Sequence, residues 1–147
     1  GYYYFEPGFT LKNDFSKTAQ LKYNTGIIIR SFINKFKKDK LLERSINARD
    51  IIEPIINRSY KENEFPGLIP DWDNTPRRRY RGLVYTGTSP EYFEKALRIL
   101  KEKKSGHKTD FVFINAWNEW GEGAFLEPDE YRGYAYLDAV KRVVDDK

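Results

Sequence analysis

Glu119 and Glu122 stand three residues apart in the segment Asn115-Ala-Trp-Asn-Glu-Trp-Gly-Glu-Gly-Ala-Phe-Leu-Glu127. Cleavage or transfer at a glycosidic bond uses two such carboxylates. One acts as acid and the other as base or nucleophile, in surroundings that separate their pKa values. Trp117 and Trp120 flank the pair, and indole faces suit the C–H surfaces of sugar rings and partly desolvate a carboxyl. Asn115 and Asn118 add amides, and Glu127 a third carboxylate. A spacing of three along an extended strand sends two side chains to opposite faces. If the strand ends near Glu119 and the chain turns at Gly121 and Gly123, both carboxylates converge on one cleft instead. Two solvated loop carboxylates beside core tryptophans fit the same spacing, which leaves both arrangements open.

Two further stretches have the same build, an apolar run handing over to a polar loop. Phe65-Pro-Gly-Leu-Ile leads into Pro70-Asp-Trp-Asp-Asn-Thr-Pro76 and the cationic Arg77-Arg-Arg-Tyr-Arg81. Trp72, Asp73, Asn74, Arg77 and Arg78 are candidates for binding sugar hydroxyls or a phosphate, since guanidinium forks grip anions in bidentate fashion. A structural loop with solvated arginines is favoured slightly for Arg78, Arg79 and Arg81. Tyr2 to Phe5 is an aromatic, strand-like run ending at Glu6-Pro7-Gly8, so Glu6 is a candidate contact to a hydroxyl and equally a structural residue. Glu127, before Pro128, is read as more structural than ligand-binding. The single histidine, His107, lies in a Ser-Gly-His-Lys turn and is read as a surface residue. No His, Asp and Glu set has metal-ligand spacing, and no cofactor is expected.

Around these loops, Phe111 to Ile114 does not alternate with polar residues and is expected to be a strand buried on both faces. Thr10 to Gly26 has no clear period and reads as loop. Ile29, Phe32, Ile33 and Phe36 share one helical face, followed by Lys35–Lys40 as a solvated helix end. A second helix is expected over 41–58, with Ile51, Ile52, Ile55 and Ile56 buried and Pro54 kinking or restarting it. Gly82 to Tyr85 is extended. Ser89-Pro90-Glu91 is a helix start, with Phe93, Ala96, Leu97 and Leu100 inward and Ser105-Gly106 as the stop. A last helix over 131–145 is expected to present Leu137, Val140 and Val144.

The order β-α-α-β-α-β-α implies an α/β fold with parallel strands and right-handed crossovers. Three main strands, each followed by a loop with functional groups, match the C-terminal portion of a TIM (β/α)8 barrel, about three βα units. A complete barrel needs about 250 residues. The expectation is therefore one partial domain over 1–147, a fragment of something longer, or a chain whose exposed barrel edges are covered by another copy.

Composition narrows the function classes. With 26 basic and 22 acidic residues the net charge is +4 and the pI about 9.1, weak evidence for nucleic acid, which is not expected as a partner. Cysteine is absent, so disulfides and thiolate metal sites are excluded. Aromatic residues make up 16%, and the mean hydropathy is −0.76. No run of about eighteen apolar residues spans a membrane, and no signal peptide is visible. The compartment is open, with the cytoplasm as one option.

Asn115 to Asp129, with Tyr131-Arg-Gly-Tyr-Ala-Tyr-Leu137, resembles the terminal signature of WbsX-like proteins. Pro70-Asp-Trp-Asp-Asn-Thr-Pro-Arg-Arg78, Ser89-Pro-Glu-Tyr-Phe-Glu94 and, more weakly, Phe5-Glu-Pro7 match in the same order. That family is described as glycosyltransferases of polysaccharide and lipopolysaccharide (O-antigen) biosynthesis, and is related to the endo-α-mannosidases of glycoside hydrolase family 99. The resemblance implies a (β/α)8 barrel with its site at the strand C-termini and a glycan or sugar substrate. By similarity to the mannosidases, Glu119 would deprotonate a sugar 2-hydroxyl and Glu122 would act as acid and then base. The family commonly has glycine where this chain has Asp71, which places a side chain and a charge in that loop. A missing nucleotide-binding glycine loop favours hydrolysis or transglycosylation mildly. The alternative is a non-catalytic glycan-binding or assembly module; a basic nucleic-acid binder has only charge behind it.

Overall fold

The computed structural model describes residues 1–37, 44–104 and 110–146. His107, the Ser105-Gly106 stop and residues 38–43, including the end of the lysine run and the expected start of the second helix, lie outside them.

The described chain is mixed α/β with short parallel strand pairs. β1 (Tyr2–Tyr3) is followed by α1 (Gly8–Asn13), α2 (Lys17–Phe36), β2 (Ser45–Asn47) and α3 (Ala48–Asn57). Next come β3 (Glu64–Phe65), β4 (Gly67–Leu68), α4 (Thr75–Arg78), β5 (Val84–Thr86) and α5 (Pro90–Lys104). The chain closes with β6 (Phe113–Ile114), the hairpin strands β7 (Asn118–Glu119) and β8 (Ala124–Phe125), and α6 (Ala135–Asp145). β3 and β4 are interrupted only by Pro66, which has no N–H to donate. Residues 64–68 thus run between β1, paired with β3, and β6, paired with β4, all parallel. β2 pairs with β5, also parallel. At Gly67 the backbones come so close that a methyl group would lie 2.0 Å from the Tyr4 carbonyl oxygen.

The core lies on one side of these strands. Ile51, Ile52 and Ile55 of α3 meet Leu68 and Ile69, Phe93, Ala96, Leu97 and Leu100 of α5, and Tyr136, Ala139 and Val143 of α6. The helix α3 runs through Pro54 without a new start. Three fully buried isoleucines at roughly 1.5–3 kcal/mol each exceed the roughly 3 kcal/mol that an interior proline costs. Asn47 caps α3 through its side-chain oxygen, which accepts the Arg49 N–H at 2.9 Å, and the residues before it form β2 instead of helix. The α5 start follows the sequence: Ser89 Oγ accepts the Tyr92 N–H at 3.1 Å, Pro90 opens the helix, and all four expected residues are buried.

Several expectations are overturned. Thr10–Gly26 is helical through most of its length: α1 and the first half of α2 lack the apolar stripe that would show a helical period in the sequence, and polar contacts tie them down. Thr10 N–H donates to Glu6 Oε2 at 3.1 Å, and Gln20 Nε2 donates to the carbonyls of Lys12 and Phe15. The apolar face of α2 is helical as expected, yet Ile29, Phe32, Ile33 and Phe36 are exposed. Phe111 and Phe113 are also exposed, so β6 is covered on its Val112 and Ile114 side only. The face of α6 turned inward carries Tyr136, Ala139 and Val143, which pack into the core, while Val144 is exposed. Among the described residues no helix is long and apolar enough to cross a membrane.

Glu94 of α5 joins α5 to α6, accepting from Arg98 at 2.9 Å and from Arg142 at 2.8 Å. These two hydrogen bonds hold its carboxyl below the ordinary carboxylate value. A depressed folded value means stability that is present above the unfolded pKa and lost as pH falls through the folded one. Melting temperature is expected to drop on acidification below about pH 4.5, the ordinary value, and Glu94→Gln is expected to flatten that drop. An identical pH profile for the variant would remove the clamp from the account of stability.

Candidate functional site

The loop after β4 and the hairpin after β6 are docked on each other through their backbones. Asp73 N–H donates to the Glu122 carbonyl at 2.8 Å. Gly123 has φ +62°, and a methyl group there would lie 2.6 Å from the Asp73 nitrogen. Only glycine permits both the left-handed turn and this approach. The turn at Gly121 to Gly123 that the sequence implied is therefore present, as the tight end of β7–β8, with Glu119 opposite Ala124.

This turn sets where the two glutamates go. The Glu122 carboxylate is mostly buried and forms an ion pair with Arg77 of α4. Glu119 is exposed at the end of β7. Its Oε1 lies 3.5 Å from the point where a methyl on Gly121 would sit, and Arg77 Cδ lies 3.9 Å from that same point. Only Glu122 is paired with the arginine. It also lines a cavity of about 450 Å³ at the strand ends, together with Phe5, Arg44, Trp72, Asn74 and Arg78, and Glu119 is not part of that lining.

The remaining candidates divide into those at this cavity and those committed elsewhere. Trp72, 7% exposed, is the indole in its wall. Trp117 and Trp120 stand exposed on the hairpin, outside that wall. Trp120 stacks on Phe125 at 3.8 Å, and its Nε1–H donates to Glu127 Oε2 at 2.6 Å, which gives Glu127 a structural role. Asn118 is exposed in β7. Asp73 Oδ1 accepts from the amide and hydroxyl of Thr75, at 2.9 and 2.5 Å, and so fastens the first residue of α4 to the loop. Asn74 lines the cavity but its Oδ1 accepts the Leu83 N–H at 2.8 Å. Asp71 bonds Arg132 at 2.8 Å and Thr88 Oγ1 at 3.0 Å, so its charge stitches the loop to the segments before α5 and α6.

Glu6 is turned away from the cavity. Alternation along β1 sends Tyr4 and Glu6 to the helix side and Tyr3 and Phe5 to the other. Tyr4 meets Phe9 and Tyr60, while Tyr3 meets Phe113 and Phe5. Glu6 is 1% exposed and bonds Arg58 Nη1 at 3.0 Å; burial pushes its carboxyl up, against the lowering effect of Thr10 and Arg58. Asn115 Nδ2 donates to the Glu6 carbonyl at 3.2 Å and so joins the ends of β1 and β6. Arg58 and Arg44 were not legible as partners, since each is one of many cations in polar sequence. Among the described residues no group of three His, Cys, Asp or Glu side chains is placed to hold a metal ion.

Strand-end loops that gather carboxylates, an arginine and an indole define a mixed α/β protein with a ligand-sized cleft. The chain belongs to the WbsX glycosyltransferase family, whose model, described as Glycosyltransferase WbsX, matches residues 4–140. It is 46% identical over 85 residues to two proteins, each called uncharacterized protein WxcX, from Xanthomonas campestris pv. campestris strains B100 and ATCC 33913. Each match covers 54% of this chain, which spans only 12% of the length of those relatives. No solved structure matches the chain.

Gly123→Ala is expected to destabilise the chain by roughly 1–3 kcal/mol in urea unfolding, because strain and a backbone clash combine. Gly133→Ala, with φ +55° but nothing within 4 Å, is expected to cost about 1 kcal/mol, from the strain of the left-handed backbone alone. Equal losses at the two positions would mean that the docking of the loops contributes nothing.

Proposed function

We propose that the chain forms part of an enzyme acting on glycosidic bonds in bacterial surface polysaccharide metabolism, by hydrolysis or glycosyl transfer. In this reading it is the C-terminal portion of a (β/α)8 barrel, related to the family 99 endo-α-mannosidases. Glu119 and Glu122 are its reacting pair, Glu119 as base and Glu122 as acid/base. The supporting observation is that Glu122, at the end of the hairpin turn and three residues from Glu119, borders a cleft walled by an indole. The cleft volume, about 450 Å³, suits a sugar ring or two. Trp72 supplies an apolar wall, and Trp117 and Trp120 on the exposed hairpin are platforms for further sugars. Asn118, Asp73, Asn74 and Arg77 complete the surroundings of the bound glycan.

A non-catalytic glycan-binding module is the second reading, and one observation favours it: the Glu122 carboxylate is occupied by Arg77. As a catalytic acid, Glu122 would have to exchange that partner for the leaving oxygen. The two readings separate in the protein that carries this chain, assayed on α-mannosides and on bacterial polysaccharides. Loss of Glu122 or Glu119 by substitution with Gln is expected to lower turnover by about 10²–10⁴-fold and to leave glycan binding in place. Turnover unchanged in Glu122→Gln removes that residue from the mechanism, and binding without turnover in the unaltered protein favours the module.

A further inference from the structure

The helix α2 is turned inside out. An ordinary surface helix buries its apolar stripe and shows polar residues to water. Here Gln20, Tyr23, Ser31 and Asn34 lie on the side facing the protein, with Asn34 buried. Leu21, Ile28, Ile29, Phe32, Ile33 and Phe36 face outward, between 38% and 72% exposed. Polar contacts fix this rotation: Gln20 Nε2 donates to the carbonyls of Lys12 and Phe15, and Tyr23 Oη accepts from Arg44 at 2.7 Å. The outward residues recur at helical spacing and so form one stripe about 22 Å long. A stripe of that length has the shape of a surface contact, not of a pocket.

Charge identifies what covers it. From Phe15 to Lys38 the sequence has six basic residues and no acidic one, while the whole chain carries only +4, so the remainder is net acidic. Lys17, Lys35 and Lys37 are exposed. By the same helical count Lys17 and Lys35 lie along one border of the stripe. Exposed Arg79 stands with Lys35 and Lys37 around a cavity of about 1010 Å³ beside Ile28 and Phe32, and its lining holds no carboxylate. Arg30 and Arg81 already interact within the protein and are not needed for this. Asp14, Asp50 and Glu53 border α2 on its other side, in a cavity shared with Tyr23 and Arg30. A second copy packed on the stripe would set these cations against their own equivalents, because a two-fold contact brings the same patch to both sides. An anionic bilayer answers both features: its hydrocarbon takes up the stripe, and its phosphates meet lysines whose long stems reach them from the border.

We propose that the outward face of α2 is a membrane-surface contact, which lies in the headgroup region of an anionic bilayer with Lys17, Lys35 and Lys37 at the phosphates. The helix lies along the surface and does not cross it, in keeping with its polar inner side. The inference goes beyond the glycan reading and does not depend on Glu119 or Glu122. It does bear on the cleft: α2 borders that cleft through Tyr23 and Ile27, so the contact holds the cleft beside the lipid headgroups.

The test is flotation of the protein that carries this chain with two kinds of vesicle, phosphatidylglycerol mixed with phosphatidylcholine, and phosphatidylcholine alone. Binding to the anionic vesicles is expected to be about tenfold tighter or more, and to weaken as salt is raised. Replacing both lysines, Lys35→Gln with Lys37→Gln, is expected to weaken that binding roughly tenfold or more. Phe32→Ser with Phe36→Ser keeps the charge, removes two exposed rings, and is expected to weaken it by at least as much. Lys95→Gln with Lys141→Gln removes two exposed cations from α5 and α6 and is expected to change nothing. Circular dichroism of each variant reports on folding. Glu122→Gln is expected to bind vesicles like the unaltered protein, which keeps this result separate from the fate of the glycan reading. Equal binding to both vesicles, binding to neither, or full anionic binding in both α2 variants overturns the proposal. So does a dimer, seen by light scattering without lipid, that the phenylalanine variant abolishes, because it gives the stripe to a second copy.

Discussion

One backbone hydrogen bond, from Asp73 N–H to the Glu122 carbonyl, fixes the geometry of the candidate site. It joins loops almost fifty residues apart and requires a glycine at position 123, where any side chain would meet the Asp73 backbone. With the loops joined, α4 is brought beside the hairpin, and Arg77 reaches Glu122. The chemistry available to the two glutamates is therefore set by backbone packing. Glu122 lines the cleft and Glu119 stands exposed on the hairpin outside that lining, although the two lie only three residues apart.

The strands supply the platform for this docking. At Gly67 the centre strand comes within contact of the Tyr4 carbonyl, and Asn115 reaches the Glu6 carbonyl from β6. The ends of β1, β4 and β6 are thus held level, so the loops leaving them share one edge. Beneath that edge the charged groups have structural duties. Glu6 and Asp14 hold Arg58 against the rings of Tyr4 and Phe9. Lys104, 1% exposed, donates to the carbonyls of Lys61, Glu62 and Glu64. Buried charges of this kind persist only when nearly every hydrogen bond is made.

The exposed aromatic row formed by Tyr3, Phe5, Phe111 and Phe113 lies on the opposite side of the strands from the core. The exposed face of α2 adds Ile28, Ile29, Phe32 and Phe36.

Local physics was legible in the sequence. The hydroxyl, proline and acid at residues 89–91 start α5, and the isoleucines of α3 mark its buried side, because capping and helical period depend on near neighbours. The carboxylates, indoles and glycines of the hairpin were legible as a cluster, and so was the turn between them. Burial on one face of β6 was not, since four apolar residues in a row read alike whether one or both faces are covered. The rotation of α6 follows from which of its residues, Tyr136, Ala139 and Val143, fit the core, and the wall of the cleft is made by Trp72, not by the indoles nearest the glutamates. The direction of Glu6 follows from how β1 pairs with β3. Sequence alone determined which residues were gathered near one another along the chain and what chemistry their types allow. Tertiary structure decided which partner each charge took and which face it occupied, because strand pairing and loop docking join residues whose separation along the chain carries no signal of their contact.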